Sequence, residues 1–142
     1  MDLQIQLKHI QISELDFKVS SLDQTIPIPL ETSLGVAFGL AEDNSNAFAI
    51  IFDLILEDKK KKFHLSLKAT AHFETNIPID LEFRNSPFAK INAPAIAFPY
   101  LRTYISNLTL NSGYNPIMLP SFNFVKLAED KEQVNLITKK SV

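Results

Sequence analysis

The order of patterns along these 142 residues predicts an α+β domain, an antiparallel meander-like sheet followed by one long and one short helix. Three observations carry that expectation. Apolar and polar residues alternate with period two through most of the first half, Pro- and polar-rich stretches separate the alternating runs, and helical spacing starts only near Pro99.

In the first segment Leu3, Ile5 and Leu7 occupy odd positions, Ile10 and Ile12 even ones, and Leu15, Phe17 and Val19 odd ones again. Successive side chains of a strand point to opposite faces, so a regular strand cannot change parity. Bulges or a break are therefore expected near Lys8-His9 and Ser13-Glu14. The stretch "SSLDQTIPIPLETS" has two prolines and reads as an extended connection that still carries Ile26, Pro27, Ile28 and Leu30. "SLGVAFGL" and "NAFAIIFDLILE" each place apolar residues on alternate positions, and "AEDNSN" between them reads as a hairpin loop. After a second turn, "EDKKKK", the run "FHLSLKATAHFE" sets Phe63, Leu65, Leu67, Ala69, Ala71 and Phe73 against a polar face. "TNIPIDLEFRNSPF" reads as a Pro-punctuated extended segment. The long helix is expected from Pro99, in its first turn, to Gly113, which ends it in a left-handed conformation. The preceding "NAPAIA" extends it through a kink. Leu101, Tyr104, Ile105 and Leu108 form one stripe, with Tyr100 and Thr103 beside it. "YNPIMLP" is a connector. "SFNFVKLAEDKEQV" is the short helix, with Ser121 as N-cap and Phe124, Leu127 and Ala128 facing inward, and the last residues, "NLITKKSV", fray.

A chain of this length with 46% apolar residues holds enough for one core, so residues 1–142 are read as a single domain. A net charge of −2 and a pI of 5.9 supply no positive field for nucleic acid or acidic lipid. The absence of cysteine excludes disulfides, thiolate metal sites and a cysteine nucleophile. The alternating, acid-containing start is unlike a signal peptide, so a cytoplasmic location is expected. The most apolar window, "AFAIIFDLIL", contains Asp53 and falls short of the ~18 to 20 residues a bilayer span needs, so no membrane insertion is expected.

Catalytic and metal chemistry find no constellation in the sequence. His64 and His72 share a strand face but stand eight residues apart, ~26 Å at ~3.3 Å per residue, and cannot hold one ion. The acidic pairs Glu42-Asp43, Glu57-Asp58 and Glu129-Asp130 sit in predicted hairpins and on a helix flank, where solvation accounts for them. With only Gly35, Gly39 and Gly113, there is no phosphate-cradling loop and no nucleophile elbow. The basic run Lys59 to Lys62 has no interleaved aromatics and reads as a solvated hairpin tip. Neither an enzyme, a metal nor a cofactor is expected. What stands out instead is apolar surplus: eleven phenylalanines, and a helix from Pro99 with hydrophobic residues on two sides. In a two-layered domain one face closes the core, and a second apolar face meets another subunit or a ligand.

The stretch "FPYLRTYISNLTLNSGYNPIMLPSFNF" resembles the bacterial export chaperone SecB and its SecB-like relatives. Phe98, Pro99, Tyr100, Arg102, Ile105, Ser106, Gly113, Pro116, Leu119, Pro120, Asn123 and Phe124 carry the likeness, and "LQIQ" with "ISELDF" is similar to the family's opening strand pair. The resemblance implies a four-stranded antiparallel sheet with a long and a short helix, assembled as a dimer of dimers, a homotetramer. Its oligomer interface would use Tyr100, Leu101, Tyr104, Ile105 and Leu108. It implies apolar client-binding grooves for unfolded polypeptide, here Ile26, Pro27, Ile28 and Leu30 of the connection and Phe124, Val125 and Leu127 of the last helix. Binding would be passive and ATP-independent. Glu14 matches one of the acids that family members present to the translocation motor SecA. Lys18 and Ser66 stand where further acids are expected, and His64, Lys68 and His72 share that face. The leading expectation is therefore a holdase, with export among its uses. The alternative is a SecB-like chaperone dedicated to one client, such as an antitoxin, without SecA docking.

Overall fold

The computed structural model describes residues 2–129. Four strands, β1 (Ile5–Val19), β2 (Glu31–Leu40), β3 (Ala47–Glu57) and β4 (Phe63–Thr75), form one antiparallel sheet in the order β1-β4-β3-β2. Strands β2 to β4 are a meander, but β1 is not the next strand in line. Residues 20–30 carry the chain across the sheet, so β1 lies against β4 and β2 becomes the opposite edge. That connection spans ~14 Å of sheet, three interstrand spacings.

Both parity changes in the first segment are bulges in one continuous strand. The register runs Leu7↔Phe73 then His9↔His72, and Ile12↔Ala69 then Glu14↔Lys68, leaving Lys8 and Ser13 as the extra residues. Each bulge restores the apolar residues of β1 to the inner face, where Leu7, Ile10, Ile12 and Phe17 pack on the core. The inner faces of β3 and β4, from Phe48 to Leu56 and from Phe63 to Phe73, are buried at alternate positions. The "EDKKKK" turn is held by Asp58, whose Oδ1 accepts the Phe63 N–H at 2.9 Å, and Lys61 adopts φ 58°. Asp58 is therefore buried rather than solvated, and its carboxyl lies below the usual range because the Phe63 amide bonds the charged form.

Helical structure begins earlier than the Pro99 spacing suggests. Asp80 caps a 3-10 turn (Leu81–Asn85) by accepting from the Glu82 N–H, and a π-helical turn (Phe88–Asn92) leads into α1 (Ala93–Asn111). Pro94, not Pro99, occupies the first turn of α1. Pro99 sits inside the helix, where its missing N–H would have paired on an exposed face that water reaches. At the other end Gly113 (φ 98°) places its N–H on Leu110 O and the Tyr114 N–H on Thr109 O, the paired bonds of a Schellman cap.

The short helix α2 (Phe124–Glu129) is capped by Asn123, whose Oδ1 accepts the Lys126 N–H at 3.1 Å. Ser121 is not the cap, because its hydroxyl faces Arg102 instead. The expected continuation of this helix to Val134 and the fraying of residues 135–142 lie outside the described residues.

Candidate functional site

Along α1 the residues Pro94, Ala97, Phe98, Leu101, Ile105 and Thr109 recur at helical spacing and are buried. Phe98 anchors this face, with Phe52 of the sheet on one side and Phe122 and Phe124 on the other, ring centroids 5.0 to 6.3 Å away. Leu101 and Ile105 are thus core residues of the single chain, with no surface left for a second subunit. Tyr104 and Leu108 are half-buried against the same core. Tyr100 stays 60% exposed, and the outward row it belongs to runs Ile96, Tyr100, Thr103, Asn107 and Leu110. The helix does have a second face, but that face holds fewer apolar residues than the sequence pattern implied.

The third side of α1 is polar and holds the connector. Arg102, Ser106 and Thr109, spaced four and three apart, face the segment from Tyr114 to Phe122. Arg102 Nε donates to Leu119 O at 2.9 Å, Ser106 Oγ donates to Ile117 O, and Thr109 Oγ1 accepts the Ile117 N–H at 3.0 Å. Ile117 and Leu119 are buried, whereas Met118 between them is 76% exposed, with its Sδ accepting from Ser106 Oγ at 3.5 Å. Arg102 and Ser106 were visible as part of the family-like motif, but this clamp was not. Its signal was the polar triplet at helical spacing opposite an apolar, proline-bounded connector.

The crossover connection is tied to that connector by the Asn115 N–H on Gln24 O at 2.8 Å, and Phe17 packs edge-on against Tyr114. Ile26 is buried and anchors the connection in the core, so it cannot serve as a groove wall. Pro27 and Leu30 are half-buried, whereas Ile28 and Leu22 are 86% and 97% exposed. On α2, Phe124 turns into the core, Leu127 is half-buried and Val125 is 49% exposed. The large apolar groups left open on these segments are therefore Leu22, Ile28, Met118 and Val125. A separate open pocket of about 480 Å³ lies beyond the start of β1, between Leu3, Ile77, Ile79, Phe83 and the carboxylates of Asp80 and Glu82.

The outer sheet face carries mixed charge. Glu14 lies opposite Lys68 in the register, and Lys18 opposite His64. His64 sits between Glu57 (Nδ1 to Oε2, 2.9 Å) and Asp16 (Nε2 to Oδ2, 3.5 Å). Hydrogen bonds from Lys61 and then His64 hold the Glu57 carboxyl below its usual range. The bulge at Lys8 turns His9 to this face, where it stacks on His72 at 4.4 Å and Gln11 bonds His72 Nε2 at 2.9 Å. Burial, and then the charge of His9, lower the His72 pKa. Among the described residues no group of three or more His, Cys, Asp or Glu could hold a metal ion, and no helix is long and apolar enough to cross a membrane.

Comparison with known proteins places this arrangement. The family model described as preprotein translocase subunit SecB matches residues 2–135. The protein-export protein SecB of Rickettsia akari (strain Hartford) is 29% identical over 114 residues, covering 80% of this chain and 73% of that protein. The protein-export protein SecB of Paramagnetospirillum magneticum (strain ATCC 700264 / AMB-1) is 26% identical, covering 87% and 83%. Among solved structures, the fold is similar to that of the Mycobacterium tuberculosis SecB-like chaperone in complex with a ChAD peptide from the HigA1 antitoxin. The TM-score is 0.67 at 16% identity, with 84% of this chain and 90% of that one covered. The sheet order, the long and short helices and the motif from Phe98 to Phe124 thus have one source: the chain belongs to the SecB family of protein-export chaperones.

Proposed function

We propose that the protein is an ATP-independent holdase that captures unfolded polypeptide on apolar surface outside its regular elements. The observation that carries this reading is the exposure of Leu22, Ile28 and Met118 on two segments tied together by the Asn115–Gln24 hydrogen bond. Covering such side chains yields roughly 1.5 to 3 kcal/mol each. Ordering an extended client residue costs about 1 to 2 kcal/mol, so one patch binds weakly and several copies bind well. A homotetramer, built as a dimer of dimers through the outward row around Tyr100 and Leu110, supplies that multiplicity. The mixed charge of the face bearing Glu14 and Lys68 suits client capture that does not pass through SecA.

Dilution of a chemically denatured client into buffer, followed by light scattering without nucleotide, tests the reading. Suppression at one tetramer per client is expected, and undiminished aggregation overturns it. Running the assay on a panel separates a general holdase from one dedicated to a single client such as an antitoxin. Titration of purified SecA by calorimetry checks the second point, where no heat of binding is expected.

A further inference from the structure

We infer that the β3–β4 turn is a cationic selector, whose lysines Lys59, Lys60 and Lys62 favour unfolded chains that carry acidic residues beside an apolar segment. This rests on the holdase reading and names the client class within it. The topology supplies the placement. β1 ends on the pair Val19↔Phe63 and β2 begins on Glu31↔Glu57, so the crossover leaves and rejoins the sheet on either side of this turn. The Ser20 N–H and hydroxyl both bond Lys62 O, at 2.9 and 3.3 Å, and Leu22, 97% exposed, follows two residues later.

Residues 57–62 hold four lysines against two acids, a formal charge of +2 in a chain of −2. Both acids are engaged within the turn. Asp58 is buried with its Oδ1 on the Phe63 N–H, and Glu57 is bound by Lys61 Nζ at 2.7 Å and His64 Nδ1 at 2.9 Å. Lys61 stands at φ 58°, where glycine or asparagine would cost less, and its ion pair with Glu57 is what the lysine contributes there. Lys59, Lys60 and Lys62 are exposed, and none of their side chains has a hydrogen-bond or ion-pair partner among the described residues. Uncharged polar residues at these three positions would close the hairpin equally well.

The occupant is a polypeptide rather than a uniformly anionic surface. Asp16, Asp23 and Glu31 lie on the adjoining strands and crossover and repel a sheet of lipid headgroups or a nucleic-acid backbone. A chain with one or two carboxylates beside an apolar run sets them on the lysines and avoids those acids. The aromatic residue that follows the turn, Phe63, is buried and offers no face to a base. Exposed ion pairs are individually weak and screened by salt, so the turn biases the choice of client while apolar contacts supply capture.

Three fluorescent peptides with one shared extended apolar core, flanked by Glu, Gln or Lys, test this by anisotropy with the full-length protein. At low salt the Glu-flanked peptide is expected to bind about tenfold tighter than the Gln-flanked one, and the Lys-flanked peptide more weakly still. At about 0.5 M salt the three should fall within about twofold of one another. The combined variant Lys59→Gln, Lys60→Gln and Lys62→Gln should lose the preference and keep the parent's affinity for the Gln-flanked peptide. Lys8→Gln, Arg84→Gln and Lys90→Gln together make the same change in net charge on other elements and should keep the preference. If the Gln-flanked peptide binds but the Glu-flanked one binds no tighter, or the turn variant keeps the preference, the selector is overturned and the holdase reading stands. If none of the peptides binds, both fall. Vesicles rich in phosphatidylserine, or a single-stranded RNA, that bind the parent and not the turn variant assign the lysines to a polyanion and also overturn the inference.

Discussion

Replacing Thr109 by valine isolates the clamp in a single atom exchange. Thr109 is fully buried, its Oγ1 accepts the Ile117 N–H at 3.0 Å, and its own proton goes back to Ile105 O or Ser106 O in the turn before. Valine keeps the shape, so no cavity forms, but the Ile117 N–H loses its acceptor in a buried position. An unsatisfied buried donor costs about 1 to 3 kcal/mol, and the methyl that replaces the hydroxyl offsets up to ~0.8 kcal/mol. The net loss is about 0.2 to 3 kcal/mol, centred on about 1.5 kcal/mol, which lowers the melting temperature by roughly 5 °C for a domain of this size. Thr109→Ser separates packing from hydrogen bonding, because it gives up a buried methyl, roughly 1 kcal/mol, yet leaves the acceptor in place. Hydrogen exchange at fixed protein concentration reads the difference at the right residue. The Ile117 amide should exchange much faster in the valine variant and at the parent rate in the serine variant. Parent-like stability of Thr109→Val together with a protected Ile117 amide would refute the clamp.

Three further expectations follow from the geometry. Gly113→Ala meets no neighbouring atom within 4 Å, so its whole cost is the left-handed backbone at φ +98°, about 1 to 2 kcal/mol, and Gly113→Asn should cost less; a loss below ~0.3 kcal/mol in denaturant titrations would contradict this. Because the folded state lowers the His72 pKa, the unfolded chain takes up protons first as pH falls through the usual histidine range near ~6.5, and stability drops there. His72→Gln should flatten the melting-temperature profile between about pH 7 and pH 5, and an unchanged slope would argue against the stacked pair as its source. Tyr100→Asp or Leu110→Asp, on the outward row of α1, should shift the mass measured by light scattering to a smaller assembly by placing an unpaired charge in the proposed interface, while a tetramer that survives both sinks that assignment.

Strand boundaries were legible because alternation reports directly which residues share a face. The two parity changes in the first segment even located the bulges at Lys8 and Ser13. Gly113 announced its own conformation, since no other residue type enters it freely. The long helix is legible, including its extension through "NAPAIA" to the observed start at Ala93, but the role expected of Pro99 is not the one it has. Pro99 has the composition of a first-turn residue, and only the exposed position of its missing hydrogen bond shows why the helix continues through it. The site was less legible. Ile26 and Phe124 have the apolar character a groove needs, and so does any core residue; Leu101 and Ile105 fit an interface stripe for the same reason.

The amino-acid sequence by itself determined the four strands and the long helix, their apolar periodicity, the turn at Gly113 and the motif that marks the family, but it read as extended the segment that forms the 3-10 turn at Leu81–Asn85 and the start of the π-helical turn at Phe88–Asn92. Tertiary structure alone decided which face meets what. Periodicity says that a side chain is on one side of a helix or strand and says nothing of the neighbour that covers it. The neighbours here come from far along the chain. Residues 20–30 bring β1 to β4, which pairs His9 with His72. The connector lies along Arg102, Ser106 and Thr109, which buries Ile117 and Leu119 and leaves Met118 in the open. Burial is a property of two surfaces in contact, and a sequence pattern describes only one of them at a time.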